Sequence, residues 1–164
     1  MISVTIHAKV PFESSTDMFS CPKILDSIHG IGLWKFTDWK VSPEGSYTRK
    51  GKIKGVEVPS FARFLNGGKR YITCNVTQTY TQISEDTIIV DSLLKPKVAG
   101  VNVVLNETQF KIKRFDSTSS LVYVSSHNQT DLPHPLRQIA IEVMDDMSIE
   151  TMNFLEDALA QRFR

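Results

Sequence analysis

The sequence predicts an α+β domain: an antiparallel sheet of about seven strands, two short helices after the first strand, and one long helix at the C-terminus. Three observations predict it. Ile2, Val4, Ile6, Ala8, Val10 and Phe12 alternate with Ser3, Thr5, His7 and Lys9, the period of a half-buried strand. From Leu33 to about His127, stretches of strand chemistry are separated by connections too short for a crossover helix, so neighbouring strands pair antiparallel. Beyond Pro135, Leu136, Ile139, Ala140, Val143, Met144 and Met147 recur at i, i+3, i+4, i+7, and Leu155, Leu159 and Phe163 continue a related stripe.

Each element follows from local chemistry. Pro11 ends the first strand. Ser14-Ser15-Thr16-Asp17 offers capping side chains before Met18 and Phe19, and Ser20-Cys21-Pro22 offers a cap and a first-turn proline before residues 23–28. His29-Gly30-Ile31-Gly32 stops these two short helices. Six strands are expected over 33–41, 46–56, 69–82, 87–94, 101–115 and 118–127, with turns at Ser42-Pro43-Glu44-Gly45, Ser84-Glu85-Asp86, Lys95-Pro96-Lys97 and Asp116-Ser117. The final helix, about 28 residues and roughly 40 Å long, would cross the whole sheet. Arg137, Glu142, Asp145, Glu156 and Gln161 mark its solvated side, and Ser148 could interrupt it.

Composition bounds the function. With 164 residues, 41% of them hydrophobic and 23% charged, the chain reads as one globular domain over 1–164. Nineteen Lys and Arg against eighteen Asp and Glu give a net charge of +1, which argues against a nucleic-acid partner. Cys21 and Cys74 are too few for a disulfide framework or a cysteine zinc site, which fits a reducing compartment. The first residues lack signal-peptide features and no segment has the roughly 20 apolar residues of a membrane span, so the expected location is cytoplasmic.

The order strand, two short helices, six antiparallel strands and a long C-terminal helix resembles the helix-grip fold. That superfamily includes the START lipid-transfer domains, the birch-pollen-allergen proteins, the polyketide cyclases and the sterol-binding VASt domains. The resemblance covers essentially the full length, and it rests on element order rather than a diagnostic motif, so it implies the superfamily and no subfamily. It implies a sheet curled around the last helix and an apolar pocket between them that takes a lipid, a sterol or another hydrophobic small molecule.

The residues supply their own reading. Ile72, Cys74, Val76, Gln78 and Tyr80 share one face of their strand, and Asn106 and Thr108 share a face with Phe110 and Ile112. Scattered polar groups on an apolar face can orient a ligand, and they also occur where a sheet rim meets solvent. Val76, Tyr80, Asn106, Thr108, Phe110, Tyr123, Val143, Met144 and Met147 are the expected lining of the pocket. Two other readings accompany this one: a small-molecule enzyme of polyketide-cyclase or hydratase type on the same fold, and a filled-core scaffold that works through protein partners.

Strong catalytic motifs are absent, and no catalytic residue or cofactor is implied. His127, Asp131 and His134 have a ligand-like spacing, but Pro133 and Pro135 oppose the helix that would converge them, so no metal is expected. Asp38 and Glu107 lie in apolar strands and are the carboxylates an enzyme would use. Lone Cys74 reads as a small core hydrophobe.

The longest interruption among the strands is residues 58–70. Phe61, Phe64 and Leu65 have the spacing of a one-turn apolar face between Pro59 and Gly67-Gly68. One reading is a short helix capping the sheet edge. The other is a gate over the pocket, hinged on the glycines, whose Phe61, Phe64 and Leu65 enter a bilayer interface while Arg63, Lys69 and Arg70 meet anionic headgroups, a peripheral membrane contact.

Overall fold

The computed structural model describes residues 1–9, 11–13, 34–44, 46–57, 60–98, 101–102 and 104–161. Its strands are β1 (Ile2–Ala8), β2 (Trp34–Phe36), β3 (Lys40–Val41), β4 (Tyr47–Glu57), β5 (Tyr71–Ser84), β6 (Thr87–Val98), β7 (Val101–Asn102), β8 (Leu105–Arg114) and β9 (Ser120–Gln129). A 3₁₀ segment covers Ser60–Asn66, and helix α1 covers Leu136–Gln161. The two short helices expected over 14–28 lie outside the described residues, as does Phe163.

All the strands pair antiparallel in the order β1-β9-β8-β6-β5-β4-β2, with β3 also on β4 and β7 also on β6. This is the expected curved antiparallel sheet of seven strands, two of which are broken. The edge strand expected over 33–41 breaks at Thr37–Trp39 into β2 and β3. There Lys50 donates its backbone N–H to Thr37 Oγ1 at 2.9 Å, a side chain standing in for a ladder partner. The strand expected over 101–115 is likewise divided into β7 and β8, which both pair with β6.

The turn expected at Lys95-Pro96-Lys97 does not form. β6 continues to Val98, and Pro96 falls where β6 changes partner, because β8 pairs as far as Leu94 and β7 takes over at Lys97. A residue without an N–H is tolerated at such an irregularity.

One layer of core joins sheet and helix. Ile6, Ala8, Ile88, Ile112 and Val122 from the strands are buried in one cluster with Met152, Leu155 and Leu159 of α1. The buried helical positions Met144, Met152, Leu155 and Leu159 are spaced by multiples of three and four, so they form one stripe. Ile139, which the apolar spacing placed in that stripe, is exposed instead.

Arg114 fastens the end of the sheet nearest this core. Its Nε donates to Asp86 at 2.6 Å and its Nη2 to Glu13 at 2.7 Å, with the guanidinium 4.8 Å from the Phe12 ring. The Arg114 hydrogen bond holds the Glu13 carboxyl below its ordinary value.

Candidate functional site

Antiparallel register places Arg49, Gln78, Ser92, Thr108 and Ser126 side by side across five strands on the face that meets α1. The row on one side of them is Tyr80, Val90, Phe110 and Val124; the row on the other is Val76, Leu94, Asn106 and Asn128. A polar belt therefore crosses this face beside an apolar row, and Asn106 and Asn128 extend it on β8 and β9. Arg49, Gln78, Ser92, Asn106, Ser126 and Asn128 are all buried, where polar groups are stable only with hydrogen-bond partners.

The partners form two groups. On β4, β5 and β6, Arg49 Nε donates to Gln78 Oε1 at 2.9 Å, and Gln78 Nε2 donates to Ser92 Oγ at 3.4 Å. The Arg49 guanidinium lies 4.2 Å from the Trp39 ring centroid, where the ring's negative face offsets part of the loss of water. Tyr80 meets both Trp39 and Tyr47 edge to face.

On β8, β9 and α1, Asn106 Nδ2 donates to Ser126 Oγ at 2.8 Å and to Asn128 Oδ1 at 2.7 Å, while its Oδ1 accepts from Thr108 Oγ1 at 2.8 Å. Asn128 Nδ2 reaches Asp145 Oδ1 at 2.8 Å and Ser148 Oγ at 3.3 Å, and Ser148 donates to the Met144 carbonyl at 2.9 Å. Asp145 thus faces the sheet rather than solvent, contrary to its assignment to the helix's solvated side. Ser148 does not interrupt the helix but bonds back into it.

The expected lining divides. Val76, Asn106, Thr108 and Phe110 lie on the helix-side face with Tyr80, and Met144 is buried on α1 with Val143 and Met147 half-buried nearby. Tyr123 does not belong with them. It pairs with Thr5 and Lys111 in the opposite phase of alternation, so it stands exposed on the outer face.

Sequence reasoning missed Arg49, Ser92, Ser126, Asn128, Asp145 and Ser148. Arg49 had a signal: the exposed face of β4 carries Lys50 and Lys52, so the residue before them must point inward.

Asp38 is exposed, and Glu107 is exposed on the outer face opposite His127, so neither carboxylate enters the helix-side face. The outer face has its own groove of about 580 Å³, bordered by Thr77, Thr79, Asp91, Glu107, Gln109 and His127. Met1 and Leu93 contribute apolar surface to it beside these polar side chains. Among the described residues no three His, Cys, Asp or Glu side chains converge as metal ligands, and no helix is long and apolar enough to cross a membrane.

Cys74 is buried on the helix-side face, and burial pushes its thiol up to about 12, partly opposed by a backbone hydrogen bond at Lys95. The folded protein holds this proton more tightly than the unfolded chain does, where a thiol titrates near pH 8.5. The resulting stability is complete below about pH 8.5 and is lost as pH rises toward 12. Iodoacetamide at pH 8 is expected to leave Cys74 unmodified in the native protein and to alkylate it in urea, as read by peptide mass spectrometry. Rapid native alkylation would show that β5 opens.

The Ser60–Asn66 segment turns back through Gly67 and Gly68, whose φ values of 61° and 79° suit glycine. Phe61 is 61% exposed and Phe64 72% exposed, so these rings do not cap the sheet edge.

No protein-family model matches the sequence, and no curated protein matches it at a significant level. Solved structures do resemble it. A START superfamily protein from Mycobacterium smegmatis is 16% identical with a TM-score of 0.60, covering 99% of this chain and 95% of that one. A protein from Rhizobium leguminosarum is 13% identical with a TM-score of 0.56, covering 96% and 92%. A conserved protein from Geobacillus kaustophilus is 11% identical with a TM-score of 0.52, covering 99% and 96%. The chain therefore has the START-like, helix-grip fold, and these likenesses single out no subfamily.

Proposed function

We propose that the helix-side face binds a hydrophobic small molecule with a hydrogen-bonding group, a lipid or sterol-like compound, and that the protein carries this ligand without transforming it. The observation that carries the reading is the polar belt of Arg49, Gln78, Ser92, Thr108 and Ser126 lying beside the apolar row of Tyr80, Val90, Phe110 and Val124. Tyr80, Val90, Phe110 and Val124 on one side, with Val76 and Leu94 on the other, supply the area that drives a ligand out of water, and the belt fixes its orientation. Hydrophobic-ligand binding is common on this fold. An enzymatic reading needs a carboxylate or imidazole presented to the ligand, and Asp145, which reaches this face, is already engaged by Asn128.

Native mass spectrometry after incubation with a mixed lipid extract tests the reading. The expected result is a one-to-one adduct. Gln78→Leu keeps the volume but removes the link between Arg49 and Ser92, and is expected to weaken uptake about tenfold, the equivalent of one hydrogen bond. A wild-type protein that takes up nothing from the extract overturns the proposal.

A further inference from the structure

We propose that the corner of the sheet formed by Ser60–Asn66 and the adjoining ends of β4, β5 and β6 docks on an anionic lipid bilayer. The proposal stands independently of what the helix-side face holds.

A 3₁₀ segment has about three residues per turn, so Phe61 and Phe64 eclipse one another and project together. Both rings are mostly in water, although aromatic side chains of this size ordinarily find cover. Glu57, at the end of β4, accepts from Arg63 Nη2 at 3.2 Å within the segment and from Arg70 Nε at 2.9 Å beyond it. That double contact braces both sides of the loop, and the paired rings project from a braced platform.

Charge then identifies the partner. Around the rings lie Arg63, Lys69 and Arg70, and register brings Lys52, Lys95 and Lys97 from β4 and β6 to the same corner, with Glu57 as their acidic neighbour. The other end of the sheet carries Glu13, Glu85, Asp86 and Asp116 balanced by Lys9, Lys111, Lys113 and Arg114. In a chain of net charge +1, the corner thus holds a local excess of cations that the far end of the sheet does not. Two exposed aromatics ringed by cations match an anionic membrane interface, where the rings enter the headgroup boundary and the cations meet lipid phosphates or carboxylates. A nucleic acid would favour the cations without needing two exposed phenylalanines. An ordinary protein interface would favour the rings without needing the cations.

Cosedimentation of the whole protein with vesicles tests this. Binding to phosphatidylcholine vesicles containing 30% phosphatidylserine is expected to exceed binding to pure phosphatidylcholine at least tenfold, and to fall severalfold when salt rises from 0.1 to 0.5 M. Phe61→Ser with Phe64→Ser is expected to reduce binding about tenfold at an unchanged melting temperature. Lys95→Gln with Lys97→Gln, which leaves the 3₁₀ segment untouched, should reduce it severalfold. Equal binding to both vesicle types, binding to RNA but not to vesicles, or wild-type binding by both double variants overturns the proposal.

Discussion

Ile112→Ala is expected to destabilise the protein by about 2–5 kcal/mol, which for a chain of this size lowers the melting temperature by roughly 10 °C. Ile112 is 0% exposed and pairs across the sheet with Ile88 and Val122, both nearly as deeply buried. Leu155 and Leu159 of α1 belong to the same cluster, so the cavity would open where sheet and helix share their core. Interiors are packed densely enough that such a cavity closes only in part. Phe64→Ala provides the internal comparison. A ring that is mostly in water already should cost no more than about 0.5 kcal/mol when it is removed. Urea denaturation followed by far-UV circular dichroism measures both. Equal effects from the two substitutions would mean that α1 is not docked as described.

The periodic features were the legible ones. Alternation in β1 and the long helical stripe depend on side-chain direction alone, and direction is a local property of the backbone. Leu155 and Leu159 were accordingly placed in the core from spacing, and they are there. The breaks were not legible. Nothing local indicates that Thr37 will replace a ladder partner for Lys50, because that depends on which strand arrives beside it. Pro96 likewise signals a turn until the exchange of β8 for β7 along β6 is known.

The candidate site shows the same division. Asn106, Thr108 and Phe110 could be assigned to one face by alternation, whereas the belt that joins Thr108 to Gln78 and Arg49 is a matter of register between strands far apart in sequence. Tyr123 illustrates the converse error. Sequence places it in the pocket lining, but its position one residue from Val122 and Val124 puts it on the other side of β9. Sequence places Asp145 on the solvated side because a carboxylate on an amphipathic helix usually faces water. Only the arrival of Asn128 from β9 gives it a reason to turn inward.

Asn106→Leu should cost about 1–3 kcal/mol even though it adds apolar surface to a buried position, because it removes one member of a network and leaves the others buried. Asn128 Oδ1 loses its donor, Ser126 Oγ loses another, and Thr108 Oγ1 loses the acceptor 2.8 Å away. Asn128→Leu should be destabilising too, since it frees Asp145 of α1 from the sheet and leaves Ser148 only its contact with Ser126. The double variant separates a network from a collection of independent contacts. With both amides gone, the Asn106–Asn128 bond is lost once rather than counted in each single variant, and neither amide is left facing an apolar replacement. The combined loss is therefore expected to fall short of the sum by about 1 kcal/mol or more. Denaturant unfolding of the wild type, both single variants and the double variant measures this coupling. Strict additivity would mean that the two asparagines act separately.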